Sequence, residues 1–319
     1  MDKNSKIYIA GHRGLAGSAI QRELQRQGYT NLIGRTHAEL DLEDAIATQQ
    51  FFDRERPDIV FLAAAKVGGI YANNTYPVEF LMSNMLIEAN VCRAAYSTQV
   101  DRLIFLGSSC IYPRDCPQPI KEEYLLAGPL ESTNRAYALA KIAGVEMCWS
   151  YNREYGTKWL AAMPTNLYGP GDNYDLNNAH VLPALIRKMH EAKLSGASEV
   201  VLWGSGKPRR EFLYVDDLAN ALVFLATLND ERYNTLVAPA QCPLINVGTG
   251  TDLTIRELAE TIADVIGYGG KFIQDTSKPD GTMRKVLDVS KMQGLGWKAR
   301  TSLKEGLNLT YRTFSEPQS

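Results

Sequence analysis

Short apolar runs alternate with longer segments in which apolar positions recur at helical spacing, and this alternation organises the chain. KIYIAG (6–11), NLIG (31–34), DIVFLAAA (58–65), RLIFLG (102–107) and KWLAAM (158–163) read as buried strands, each apolar on successive positions and so needing cover on both faces. Between them the spacing predicts helices from about Leu15 to Gln27, near 43–55, near 77–98 and over 134–154. Strand and helix in turn predict an α/β architecture: a Rossmann-type doubly wound parallel sheet with helices on both faces.

From Pro164 the texture changes. Pro164, Gly169, Pro170, Gly171 and a run rich in Asn and Asp between 172 and 178 mark a lobe boundary. A helix near 181–193, the strand EVVLWGSG (199–206), a helix near 216–228, the run INVGTG (245–250) and a helix near 254–266 follow, without repeats or low complexity. We expect a first lobe over 1–163, rejoined by segments at about 211–250, and a smaller interleaved α/β lobe made mainly of 164–319.

Composition narrows the function. With 319 residues, 45% of them hydrophobic, the chain can bury a large core. A net charge of −2 and a pI near 6.1 provide no basic field, which speaks against nucleic acid or an anionic membrane as partner. The start MDKNSKIYIAG becomes a strand at once, and no apolar run approaches the roughly 20 residues that span a bilayer, so a soluble cytoplasmic protein is expected. Five cysteines (Cys92, Cys110, Cys116, Cys148, Cys242) lack CxxC spacing, which predicts neither a disulfide framework nor a metal site.

The chemistry begins at Gly11, Gly14 and Gly17, a GxxGxxG turn between the first strand and first helix, where backbone amides and a helix N-terminus can face a pyrophosphate. A dinucleotide is the expected ligand. The second strand ends GRTHAEL, with Arg35 where an NAD-binding chain usually carries an acid, so the phosphorylated cofactor NADP(H) fits better. Arg13 and Arg35 either flank a 2′-phosphate or are surface arginines; Asp41 could reach the adenine, and His37 reads as a solvated neighbour. Ser108 stands just past RLIFLG, at the carboxyl end of a strand, where open α/β sheets place their ligands. Tyr137 and Lys141 lie one helical turn apart on one face. A free phenol titrates near 10, so a nearby ammonium is needed if it is to exchange protons at neutral pH, and Lys141 is the expected cation.

With GxxGxxG, LGSSC, YALAK, PTNLYGPGDN and REFLYVDD, the chain resembles the extended short-chain dehydrogenase/reductases that act on nucleotide sugars. GHRGLAGSAI, LAAAKVGGIYANNTYP, WGSGKPRREFLYVDD, INVGTG and SKPDGTMRK are similar to the branch that makes GDP-L-fucose, essentially end to end. The resemblance implies conversion of GDP-4-keto-6-deoxy-D-mannose to GDP-L-fucose, by epimerisation at C3 and C5 and then NADPH reduction at C4. It carries cofactor contacts to His12, Leu15 and Ala16 beside the three glycines, to Leu106, Gly107, Ser108, Ser109 and Lys141, and to Pro164, Thr165, Asn166, Leu167 and His180.

A 4-keto group acidifies the protons on C3 and C5, so epimerisation needs an acid and a base with the enolate stabilised between them. The resemblance assigns that pair to Cys110 and His180. Cys110, two residues beyond Ser108, lies near the same strand end and faces the same way in extended chain; its alternative reading is a small buried hydrophobe. Ser108 and Tyr137 would hydrogen-bond the C4 oxygen, with Tyr137 protonating it at the end. For the guanosine diphosphate, Lys188, Arg210 and neighbouring Arg187 are candidate cations, the resemblance adds Asp280, and Trp203 packs against the nucleotide or belongs to the core. A second family arginine is replaced by His37.

Three other readings are disfavoured. A 4,6-dehydratase would carry an acidic pair where Ser109 and Cys110 stand, and a 4-epimerase an acid in place of Arg35. A silent NADP-binding regulator would be expected to have lost one of Ser108, Tyr137 and Lys141. The resemblance further implies a homodimer built from the helices near 77–98 and 134–154.

Overall fold

Alternate side chains of each central strand enter opposite cores, and this fixes the layering. The computed structural model describes residues 1–316 apart from 177 and 279. Strands β1 (Ile7–Ala10), β2 (Leu32–Ile33), β3 (Ile59–Leu62), β4 (Arg102–Leu106) and β5 (Lys158–Pro164) pair in parallel. Ile7, Ile9, Ile59, Phe61, Ile104 and Leu160 enter one core, whereas Tyr8, Val60, Leu62, Leu103, Phe105 and Trp159 enter the other. The expected wholly apolar strands follow from this two-sided burial.

Helices α1 (Leu15–Arg26), α2 (Ala45–Glu55), α3 (Ile70–Thr75), α4 (Pro77–Ser97) and α5 (Arg135–Tyr155) connect these strands. Asp44 caps α2 by accepting from the Ile46 and Ala47 N–H groups, and Pro77 opens α4 where no intrahelical donor is needed. Gly156, in the left-handed conformation, ends α5.

Past Pro164 the chain builds β6 (Asn166–Tyr168), α6 (Val181–Ser195), β7 (Glu199–Trp203), β8 (Arg209–Arg210) and β9 (Phe212–Tyr214), the last paired with β6. It then crosses back. Helix α7 (Val215–Thr227) packs on α1, α8 (Asp230–Leu236) follows, and β10 (Leu244–Val247) adds to the main sheet beside β5, giving the order β10-β5-β4-β3-β1-β2. The order reverses between β1 and β3, and ligands of doubly wound sheets bind in the crevice at such a point.

A third core gathers Leu185, Ile186, Met189, Leu202, Tyr214, Leu258 and Ile262. Around it run β11 (Leu253–Thr254), α9 (Ile255–Ile266), β12 (Lys271–Asp275), β13 (Arg284–Lys285), α10 (Ser290–Gly294) and α11 (Leu303–Ser315). Strand β8 pairs with β11 and β13, and β7 with β12. Strands β8, β11 and β13 and helices α8 and α10 are too short to have been read from sequence, and α11 and β12 were not singled out. Glu211 locks the return: fully buried, it accepts from the Thr249, Gly250 and Leu287 N–H groups at 2.5, 2.7 and 2.8 Å. No helix among the described residues is long and apolar enough to cross a membrane.

Candidate active site

The glycine turn between β1 and α1 is shaped by close approach. Gly11 has φ +82°, and a Cβ on it would lie 2.8 Å from the Ala64 amide nitrogen on the neighbouring strand's exit. A Cβ on Gly17 would strike the Gly11 carbonyl. Gly14 heads α1 with no side-chain cap, so the first-turn amides of Leu15, Ala16 and Gly17 point into the crevice without a capping side chain. The His12 ring packs against Gly34, and its Nδ1 is buried without a partner. An open helix N-terminus, a cradle that only glycine fits and an orphaned ring nitrogen match a phosphate-bearing dinucleotide.

Arg35 is held more tightly than its sequence position suggests. Its guanidinium donates to the Gly34 carbonyl at 2.8 Å and to Glu55 at 3.2 Å, while Arg13 is exposed. Glu39, held below the usual carboxylate range by hydrogen bonds from Thr36, also feels Arg35 and Arg13, so both guanidinium groups border one patch. Asp41 is exposed and accepts from the Glu43 N–H at 2.9 Å; His37, 80% exposed, lies 3.6 Å from it.

At the far side of the crevice, β4 ends at Leu106 and Ser108 opens a tight turn over Ser109–Ile111. The expectation of extended chain is corrected here: the Cys110 N–H donates to the Ser108 hydroxyl at 3.4 Å, so a 3₁₀ turn keeps the two together. Burial raises the thiol pKa of Cys110, and Lys285, Ser108 and Lys141 oppose that rise. Gly107 is enclosed because Met163 on β5 occupies the place of a Cβ.

Helix α5 brings Tyr137 to this turn. Its ring meets Phe80 of α4 edge-on at 6.2 Å, and the Ser108 hydroxyl stands near enough to the phenol to oppose a rise in its pKa. Burial raises the phenol pKa well above its ordinary value, with Cys110 and Glu88 adding to the rise. Lys141 departs from the expected geometry. Its ammonium lies 5.9 Å from the Tyr137 ring centroid, donates to the Leu106 carbonyl at 3.1 Å and pairs with buried Glu88 at 3.1 Å. The lone cation anticipated for the phenol therefore already has a counter-charge, and the phenol pKa stands raised rather than depressed.

His180 heads α6 and is brought in by its loop. The Gly69 N–H donates to the Asn178 carbonyl at 3.1 Å, and a Cβ on Gly69 would press on the Ala179 carbonyl at 3.1 Å. Gly68 in turn lies against Phe80, the ring that meets Tyr137. His180 reaches solvent, yet the protein around its ring holds its pKa below that of ordinary imidazole.

The second lobe contributes cations. Lys285 of β13 is the register partner of Arg210 of β8; burial lowers the pKa of both, and Lys285 also senses Cys110. Asp280 accepts from the Ser205 amide and hydroxyl at 2.6 and 2.8 Å, fastening the WGSG turn to the loop before β13. Trp203 is 60% exposed, so it is not a core residue, and the ammoniums of Lys188 and Lys278 lie 5.1 and 5.5 Å from its ring. Arg187 is committed to Glu191 and the Tyr174 carbonyl.

Leu106 and Ser109 are buried at the β4 exit, and Pro164, Thr165, Asn166 and Leu167 span the exit of β5 into β6. Thr165 and Asn166 donate to the Glu211 carbonyl at 3.2 and 2.8 Å. Sequence reasoning missed Glu88 and Lys285. Glu88 interrupts the buried stripe Asn84, Val91, Ala95 on α4, a carboxylate at core spacing, which is the signal that could have found it. Lys285 was inside a quoted motif, but only the β13–β8 pairing places it at Cys110.

Comparisons with known proteins give the family and the fold. Residues 7–237 match the NAD dependent epimerase/dehydratase family. GDP-L-fucose synthase of Escherichia coli K12 is 54% identical, over 98% of this chain and 97% of its own. GDP-L-fucose synthase 1 of Arabidopsis thaliana is 54% identical, over 97% of this chain and 93% of its own. Among solved structures, a GDP-D-glycero-L-gluco-heptose synthase of Campylobacter jejuni, determined in the presence of NADPH, superposes with a TM-score of 0.92 at 37% identity, covering 99% of this chain and 100% of that one.

Proposed function

The chain belongs to the NAD dependent epimerase/dehydratase family, and from that premise we infer its reaction: it converts GDP-4-keto-6-deoxy-D-mannose to GDP-L-fucose by 3,5-epimerisation followed by NADPH-dependent reduction at C4. The observation that carries this reading is the convergence of Ser108, Cys110 and Tyr137 on one turn, with Lys141 beneath it, in a chain 54% identical to GDP-L-fucose synthases.

The residues divide the work. Gly11, Gly14, Gly17 and the α1 amides hold the cofactor pyrophosphate, Arg13 and Arg35 border its 2′-phosphate, and the β4 and β5 exits hold its nicotinamide half. NADPH, when bound, supplies the hydride that reaches C4. Ser108 and Tyr137 donate hydrogen bonds to the sugar's C4 oxygen, stabilising the enolate as C3 and C5 lose their protons. Cys110 and His180 remove and return those protons; before substrate enters, the thiol is protonated and the imidazole neutral, one donor and one acceptor. Tyr137 finally gives its proton to the C4 oxygen. Lys188, Trp203 and Arg210 bind the GDP, with Asp280 holding the turn that carries Trp203.

Residues 1–163 with the returning 211–250 form the cofactor lobe, and 164–319 mainly the sugar lobe. A homodimer through α4 and α5 fits the exposed apolar stripe of Val78, Met82, Met85 and Leu86, flanked by Leu139. A reducing compartment such as the cytoplasm suits five free cysteines.

The test is incubation with GDP-4-keto-6-deoxy-D-mannose and NADPH in heavy water, with the product read by NMR. GDP-L-fucose with deuterium at C3 and C5 is expected. NADPH consumption without deuterium at either carbon would reduce the activity to a 4-ketoreductase and return Cys110 and His180 to structural roles.

A further inference from the structure

Below the Tyr137–Ser108 contact lies an ion pair cut off from water. Glu88 of α4 and Lys141 of α5 are each 1% exposed and 3.1 Å apart. Among the described residues no hydroxyl, amide or guanidinium donates to the Glu88 carboxylate, so Lys141 is its counter-ion. The space is kept open. A Cβ on Gly144, on the next turn of α5, would lie 2.8 Å from Glu88 Oε2 and would strike the Phe105 ring, over which Lys141 sits at 4.7 Å.

An unpaired ammonium here would act on Tyr137 through low-dielectric surroundings and favour phenolate. Glu88 opposes it: its carboxylate, 3.1 Å from the ammonium, offsets that charge where it would reach Tyr137. We propose that Glu88 is a positioning residue that neutralises Lys141 and thereby keeps Tyr137 a phenol, committing the site to proton donation, as ketone reduction requires. The inference rests on the reductase reading above. The other groups facing Tyr137 are Ser108 and Cys110 from the turn after β4 and the Phe80 ring from α4; Lys285 lies behind Cys110, and Cys92 and Cys148 lie near Glu88. Glu88 and Cys110 both act to raise the phenol pKa, in keeping with this role.

The experiment is the pH profile of kcat for NADPH oxidation in wild type and Glu88→Gln. With wild type reducing the sugar, the basic limb of Glu88→Gln should move down by about one pH unit or more, with KM little changed. Glu88→Asp restores the charge at longer reach and should shift the limb the same way by less. A folded Glu88→Gln whose basic limb coincides with wild type would overturn the proposal and leave Glu88 as packing. If Glu88→Gln does not fold, an unshifted limb in Glu88→Asp overturns it instead. Wild type that oxidises no NADPH would refute the underlying reductase reading, a separate failure.

Discussion

Lys285 and Arg210 are register partners in the parallel pairing of β13 with β8, and of these two partly desolvated cations of the second lobe it is Lys285 that acts on the Cys110 thiol of the first. Burial pushes the thiol pKa up, and Lys285 is the largest influence holding it down. Lys285→Met should therefore slow deuterium entry at C3 and C5 by on the order of tenfold relative to hydride transfer. Equal slowing of both, read by NMR and by absorbance, would make Lys285 a binding cation only.

Cys110→Ser keeps the size of the side chain and removes its acidity. Deuterium exchange should fall by on the order of 10²-fold, while reduction of an already epimerised 4-keto sugar persists. Tyr137→Phe should do the reverse, with NADPH oxidation lost by about 10²- to 10⁴-fold and slow exchange remaining. If the two variants exchanged these phenotypes, the roles assigned here would be inverted.

Gly17→Ala drives a methyl into the Gly11 carbonyl. Relief must come from moving the turn, at about 1–3 kcal/mol, and the moved amides no longer meet a pyrophosphate. NADPH affinity, followed by nucleotide fluorescence, should drop at least tenfold; retained affinity would remove the pyrophosphate from this turn.

Glu211→Ala leaves three N–H groups without their acceptor, that of Leu287 buried and those of Thr249 and Gly250 part-buried. At about 1–3 kcal/mol for each unsatisfied donor, softened by entering water, urea unfolding should show a loss of about 3 kcal/mol. A loss below about 1 kcal/mol would mean that the return to the main sheet does not depend on this carboxylate.

Asp252 gives a pH signature. Burial alone would raise its pKa, but hydrogen bonds from Arg284 at 2.5 Å and Arg209 at 3.0 Å hold it below the usual carboxylate range. The folded state then binds fewer protons than the unfolded one between the two pKa values. The stability from this site is present above an unfolded pKa of about 3.9 and is lost as pH falls through the lower folded value. Asp252→Asn should flatten the acid limb of thermal unfolding below about pH 4; an unaltered limb would show that the arginines contribute nothing there.

The parallel sheet, the glycine turn and the Ser108–Tyr137–Lys141 set were legible because each is local, a run, a spacing or one helical turn. Cys110 stays beside Ser108 although its expected extended path was wrong, since a turn capped by Ser108 and an extended strand both keep residues two apart in company. Long-range electrostatics were not legible. Glu88 and Lys141 are separated by two helices' worth of chain, and the counter-charge appears only when α4 and α5 pack at the small Gly144. Likewise, Arg35's tie to Glu55 depends on how α2 lies beside β2.

The main sheet is finished by β10, which arrives only after β6 to β9 have been spent on the other lobe. On the ribosome the edge of β5 therefore stays unpaired until residues 244–247 have emerged, and a chain stopped after Pro164 exposes an apolar strand edge. The sequence-level boundary at Pro164 is for this reason a poor place to cut: a fragment ending there should aggregate during synthesis.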